Sequence, residues 1–162
     1  MPMWAKHGIL QRDNMEKITV GKTEYSDIES IALTEKECFS SPWSETSLRE
    51  ALDNPHHRFF TARLDGEIIG YIGAYNVLGE VSVTNIAVKK EYRKRGAGSM
   101  LLEKLITSSA DEGADFITLE VRPSNESAVN LYTKYGFLKA GLRRDFYSAP
   151  KEDALLMTKR LK

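Results

Sequence analysis

One acidic residue, Glu120, stands inside the otherwise uncharged run Phe116-Ile117-Thr118-Leu119-Glu120-Val121. A carboxylate in a half-buried strand has to be paired, wetted or put to use, because bare burial of charge is costly. Burial disfavours the charged form of a carboxyl and so suits it to general-base work near neutral pH. A salt bridge with Arg122 or another base on the same face would account for it equally well. Tyr132 falls on an apolar stripe with Ala128, Leu131 and Tyr135. A phenol is protonated at neutral pH and can act as a general acid, or it can be a core aromatic with a bonded hydroxyl. Upstream, Arg93-Lys94-Arg95-Gly96-Ala97-Gly98 mixes cations with small residues. Small residues let a backbone approach phosphate, and a helix beginning there offers unpaired N–H groups. The segment lacks both the Gly-x-Gly-x-x-Gly dinucleotide spacing and a Gly-Lys-Ser/Thr phosphate loop.

Other chemistries find less support. Cys38 is the only cysteine, so no internal disulfide and no thiolate cluster can form. Its neighbours Glu37 and Phe39 supply neither a base nor positive charge, and it reads as a small buried residue. His7, His56 and His57 are too scattered to suggest a metal site. Lys+Arg and Asp+Glu balance at 23 each, so no global basic field points to nucleic acid. A patch of Lys89, Lys90, Arg93, Lys94 and Arg95 could bind RNA, but only Tyr92 is interleaved as a stacking platform. No apolar run approaches the roughly 18 residues of a membrane span, and the N-terminus has no secretory pattern. The expectation is a cytoplasmic protein, monomeric, with no membrane partner and no direct nucleic-acid binding.

These residues need a scaffold. Residues 1–14 show no periodicity and read as an extension, a candidate for disorder, with Met15 as an alternative start. Residues 15–162 suit one domain. A strand over 16–22 leads to Ser26-Asp27-Ile28-Glu29, a capping-box pattern that opens a helix to about Phe39. Ser44 can cap a second helix, Glu45 to Leu52, and Asn54-Pro55 ends it. Strands over 58–64 and 67–77 flank Asp65-Gly66, a hairpin signal, and Leu78-Gly79 turns into a strand over 80–88. A helix from Gly96 to Glu112 carries Ala97, Leu101, Leu102, Leu105 and Ile106 on one stripe. A strand over 116–122, a helix capped by Asn125, and two strands at about 137–147 and 153–160 complete the chain. The order β-α-α-β-β-β-α-β-α-β-β predicts an α/β (α+β) fold. It has a mixed, mostly antiparallel sheet of about seven strands flanked by about four helices.

Taken together, several segments resemble the GCN5-related N-acetyltransferase (GNAT) superfamily, over about Ile18 to Leu161. They are Asn85-Ile86-Ala87-Val88, the loop Arg93 to Gly98, Leu119-Glu120-Val121-Arg122, and Asn125 with Ala128-x-x-Leu131-Tyr132-x-x-Tyr135-Gly136-Phe137. Within it the chain is similar to the RimI type, the ribosomal-protein-alanine N-acetyltransferases. Pro42-Trp43-Ser44, Ser124-Asn125, Arg143-Arg144-x-Phe146-Tyr147 and Glu152-Asp153-Ala154 carry that likeness. Two departures stand near the acceptor side: a short hairpin between Tyr147 and Glu152, and Phe146 where this type often has a tyrosine.

The resemblance implies acetyl transfer from acetyl-CoA to a protein N-terminal α-amine, an alanine amine of a ribosomal protein, without a metal. Its alternative is a small-molecule amine or a lysine side chain. It implies that the 81–88 strand splays from the 116–122 strand and that Ile86, Ala87 and Val88 meet the pantetheine arm. The Val88 N–H would then hold the oxyanion. Arg93, Lys94, Arg95, Gly96, Ala97, Gly98 and Ser99 would surround the pyrophosphate, with Asn125 binding from the other side. Glu120 would be the general base and Tyr132 the general acid. Trp43, Phe146 and Tyr147 would line an acceptor groove. A sensor that only binds acetyl-CoA would need neither Glu120 nor Tyr132.

Overall fold

The computed structural model describes residues 17–162; the extension expected over residues 1–14 lies outside them. Strand β1 (Ile18–Lys22) leads through one tight helical turn, Tyr25–Asp27, into α1 (Ile28–Cys38). The sequence points to Ser26 as the cap, but the cap is Glu24, and Asp27, three residues on, reaches back to it. One Asp27 oxygen accepts the Glu24 N–H at 2.9 Å, and the other accepts Arg63 at 2.6 Å. The box therefore starts two residues earlier than the Ser26 pattern suggests, and Arg63 of a later strand holds its far carboxylate oxygen. Helix α2 (Glu45–Asp53) begins as expected, with the Ser44 hydroxyl accepting the Ser47 N–H at 3.1 Å.

Strands β2 (His57–Leu64) and β3 (Glu67–Val77) form a hairpin, and β4 (Glu80–Val88) continues the meander. Then come α3 (Ala97–Asp111), β5 (Phe116–Val121), α4 (Glu126–Lys134), β6 (Leu138–Ser148) and β7 (Lys151–Arg160). The last two strands run further than expected, leaving only Ala149-Pro150 as their turn. The seven strands form one sheet in the order β1-β2-β3-β4-β5-β7-β6. Every neighbouring pair is antiparallel except β4 and β5, which are parallel and joined through α3.

Each face of the sheet is packed differently. On one face Leu101, Leu102 and Leu105 of α3 and Tyr132 of α4 meet Ile69, Ile72, Val81, Ile117 and Met157 in the main core. Burying each of those leucines contributes about 1.5–3 kcal/mol, so the apolar stripe of α3 fixes the helix to the sheet. On the other face, α1 and α2 press Ile28, Ile31, Ala32, Leu48 and Ala51 onto Phe59, Tyr71 and Ala87. That layer covers β2, β3 and β4. Further across the same face, Thr118, Glu120, Arg122, Leu156 and Thr158 are only partly buried. The uneven cover leaves an open shelf beside the middle of the sheet.

Candidate active site

Strands β4 and β5 pair only at Glu80–Phe116, Val81–Ile117 and Ser82–Thr118. From Val83 to Val88 and from Leu119 to Val121 they have no pairing with each other. The cause sits in β4. Its register against β3 passes from Ala74–Val83 to Gly73–Asn85, so Thr84 is an extra residue. Such a bulge bends its strand and sharpens the twist, and it falls directly after the last β4–β5 pair. The Lys89 N–H donates to the Ile69 carbonyl at 2.8 Å, toward β3. Backbone direction alternates along a strand, so the peptide groups of Ile86 and Val88 face the gap while those of Ala87 face β3. The buried Ala87 methyl packs under α1 and α2.

The upper end of this gap is held by Arg93. Its Nε donates to the Val88 carbonyl at 3.0 Å, and its guanidinium reaches Cys38 Sγ at 3.5 Å. Sequence neighbours gave Cys38 no cation; the tertiary fold supplies one. Burial nonetheless dominates and pushes the Cys38 thiol up, with Arg93 opposing it. A protonated thiol is no nucleophile, so an acyl-cysteine route has no support here.

Lys94 and Gly96 adopt left-handed backbone, φ +64° and +89°. Gly96 is the residue at which α3 starts, and it reaches that conformation without steric cost. The first intrahelical bond is Met100 N–H to the Gly96 carbonyl, 3.0 Å. Hence the N–H groups of Ala97, Gly98 and Ser99 have no helical partner. Lys94 and Arg95 are exposed beside them, with the Arg95 guanidinium 5.4 Å from the Tyr92 ring centroid. Unpaired donors, a positive dipole end and flanking cations suit a pyrophosphate. A methyl group at Gly96 would have no protein atom within 4 Å, so space remains above the turn. Across the gap, Asn125 Oδ1 accepts the Ala128 N–H at 3.2 Å and caps α4. Gap, donors and cations together fit a long ligand with an anionic end.

Glu120 lies on the open shelf, its side chain 29% exposed, and pairs with Arg143 of β6 at 3.3 Å. Its partner is therefore not Arg122, which instead donates to the Pro150 carbonyl at 2.8 Å and lies 3.9 Å from Glu152. The Arg122 guanidinium also covers the Tyr147 ring, 4.1 Å from its centroid. Tyr147 lies within electrostatic reach of both catalytic candidates. Burial and then the Glu120 charge raise its pKa, while Tyr132 is raised by burial first and by Tyr147 second. Tyr132 is 4% exposed, and no hydrogen bond to its hydroxyl is present among the described residues. Phe146 sits edge-on to Tyr147 at 5.0 Å. Trp43 stands apart from that pair, edge-on to His57 at 6.2 Å.

Sequence reasoning missed Arg143 as the partner of Glu120 and missed a buried cluster behind β4. There the Tyr71 hydroxyl and the Asn85 Nδ2 (2.6 Å) both donate to Glu35 Oε1. Burial raises the pKa of Glu35 against those two hydrogen bonds. The cluster ties α1 to β4 one residue before the gap-facing Ile86. An amphipathic helix gives no hint that one acidic residue turns inward, so no sequence signal announced it.

Residues 28–137 match the model of the acetyltransferase (GNAT) family. The chain belongs to this family. It is an acetyl-CoA-dependent N-acetyltransferase with the expected fold. The [ribosomal protein bS18]-alanine N-acetyltransferase of Escherichia coli K12 is 33% identical over 86% of this chain and 95% of its own length. The N-alpha-acetyltransferase RimI of Mycobacterium tuberculosis is also 33% identical, over 88% of this chain and 92% of its own. The crystal structure of the ribosomal-protein-S18-alanine N-acetyltransferase from Escherichia coli superposes with a TM-score of 0.84. It is 30% identical and covers 90% of this chain and 95% of that one. Among the described residues, no group of three or more His, Cys, Asp and Glu could hold a metal ion.

Proposed function

We propose that this protein acetylates the N-terminal α-amine of a ribosomal protein, an alanine amine, by direct transfer from acetyl-CoA. The observation that carries the reading is the position of Glu120. It lies on the uncovered shelf, two residues past the last β4–β5 pair, so a polypeptide end can lie beside the gap that suits the thioester. The α1–α2 loop and the β6–β7 turn meet through Ser40 Oγ and the Ala149 carbonyl, 3.2 Å apart. Relatives of this length named as ribosomal-protein-alanine N-acetyltransferases support the same acceptor.

An α-amine has a pKa near 7.7–8.0 and arrives mostly protonated. Glu120 takes that proton, directly or through water, and frees the nitrogen lone pair to attack the thioester carbonyl. The Val88 N–H, fixed by the Arg93 bond to its own carbonyl, donates to the developing oxyanion. Tyr132 then gives its hydroxyl proton to the departing sulfur as the C–S bond breaks, and the second proton shed by the acylated nitrogen restores the phenol. Arg93 to Ser99 and Asn125 hold the coenzyme, and Trp43, Phe146 and Tyr147 border the acceptor. The reading carries with it a monomeric, cytoplasmic protein that binds neither membrane nor nucleic acid directly.

The test is acetylation of an alanine-start peptide beside an N-blocked peptide containing lysine, with the modified nitrogen located by mass spectrometry. Modification of the free α-amine alone is expected. Acetylation of the blocked peptide alone would replace this reading with a lysine or small-amine transferase.

A further inference from the structure

An open cavity of about 390 Å³ lies between α2 and the far end of β3, lined by Trp43, Ser47, Glu50, Ala51, Asn54 and Tyr75. The α2 residues recur at three- and four-residue spacing and share one side of the helix. Two aromatic rings and one carboxylate therefore border the same space. Glu50 is exposed and makes no ion pair among the described residues. Behind the cavity, His57 stacks on Tyr75 at 3.8 Å and on Phe59 at 4.3 Å. Burial lowers the His57 pKa to about 4, so the imidazole is neutral at pH 7 and adds no competing positive charge. Aromatic faces with a free carboxylate favour an organic cation.

The cavity is placed to serve the acetylation site. His57 pairs with Tyr75, Tyr75 with Ser82 and Ser82 with Thr118, forming one row across the sheet. Thr118 precedes Glu120 by two residues on the same face. Two strand spacings across and two residues along put Tyr75 roughly 12 Å from Glu120. An extended polypeptide spans that distance in about three to four residues. The α1–α2 loop borders both places: Ser40 touches the β6–β7 turn over the shelf, and Trp43 lines the cavity.

We infer that this cavity receives a positively charged side chain of the acceptor, carried three or four residues in from the acetylated amine. The inference rests on the reading of the acceptor as a protein N-terminus, and it adds a specificity element to that reading. Glu50 supplies the counter-charge, and Trp43 and Tyr75 supply the faces that a guanidinium or ammonium can lie against.

The test uses the full chain, acetyl-CoA and alanine-start octapeptides in a serine background, with one arginine moved from position 2 to position 6. Each arginine peptide is matched by its citrulline counterpart, which keeps the shape and removes the charge. An arginine preference of about tenfold in kcat/KM is expected at position 3 or 4, and little at position 6. Glu50→Gln should bring the arginine-to-citrulline ratio toward one, and Glu50→Lys should invert it. Thermal melting of both variants checks that they fold. An unchanged ratio in Glu50→Gln, or no arginine preference at any position, overturns the subsite. If citrulline peptides are still acetylated on the α-amine, the N-terminal reading survives that failure. If no peptide is acetylated on its α-amine, both fall together.

Discussion

On the proposed coenzyme side of the β4–β5 gap, one unbroken run from Ile86 to Ser99 supplies the gap-facing peptide groups, the flanking cations and the helix start. On the proposed acceptor side, Glu120 of β5 is paired with Arg143 of β6. Arg122 covers Tyr147, and Trp43 arrives from the loop between α1 and α2. The first half is largely backbone, and its donors exist wherever a strand end leads into a helix with a left-handed glycine between. The second half is side chains brought from distant segments, each with a partner that could have been otherwise. A backbone-built site tolerates side-chain change and is common to many acceptors; a side-chain-built one is where an acceptor can be chosen.

That contrast can be broken from either side. Glu120→Gln should lower kcat by roughly 10²–10⁴-fold, the loss expected of a general base, with acetyl-CoA affinity unchanged in a calorimetric titration. A large loss of coenzyme affinity would show that the two halves are not separable. Tyr132→Phe should lower kcat by about 10²-fold. Burial holds the Tyr132 pKa above the ordinary phenol value, so its hydroxyl stays protonated through pH 6–9. The Tyr132→Phe defect should therefore be the same at both ends of that range, read from the pH dependence of kcat. A defect confined to low or high pH would assign the proton to another group.

A third measurement concerns stability on the acceptor side. His57 has its pKa lowered from 6.5 to about 4 by burial. The unfolded chain thus binds a proton in that interval that the folded chain refuses. Stability is complete above pH 6.5 and falls as the pH drops toward 4, by about 3 kcal/mol in all. His57→Phe keeps a ring in the stack and should flatten this part of the profile in urea titrations at several pH values. An unaltered slope would place the acid-sensitive group elsewhere. The smallest effect is expected on the coenzyme side. Gly96→Ala forces an L residue to φ +89°, costing roughly 1–2 kcal/mol. It should raise the KM for acetyl-CoA several-fold while leaving kcat at saturation nearly unchanged. A fall in kcat alone would contradict a purely binding role for the turn.

Much of the fold was legible because its signals are local. Asp65-Gly66, Leu78-Gly79, Ser44 and Asn125 mark turns and caps through chemistry within a few residues, and the apolar stripe of α3 declares its buried side. The start of α1 differs from the Ser26 pattern: Glu24 and Asp27 form the box, and Asp27 is further held by Arg63, thirty-six residues away. Glu120 stood out as a lone charge in an otherwise uncharged strand, yet its partner did not. Arg122 shares its face two residues on, but Pro150 and Tyr147 draw it away. Glu35 was invisible as a buried acid because the hydrogen bonds that permit its burial come from Tyr71 on β3 and Asn85 on β4.

The sequence by itself determined the order of elements, the strand–loop–helix that suits a pyrophosphate, and the candidacy of Glu120 and Tyr132. Each of these depends on periodicity or on residue types close together in the chain. The tertiary structure decided where β4 parts from β5, which arginine faces Glu120, and which aromatic rings gather beside Glu50. Those outcomes depend on a one-residue bulge and on contacts between strands and loops far apart in sequence. The balance of burial and pairing that sets them is summed over neighbours that only the folded chain brings together.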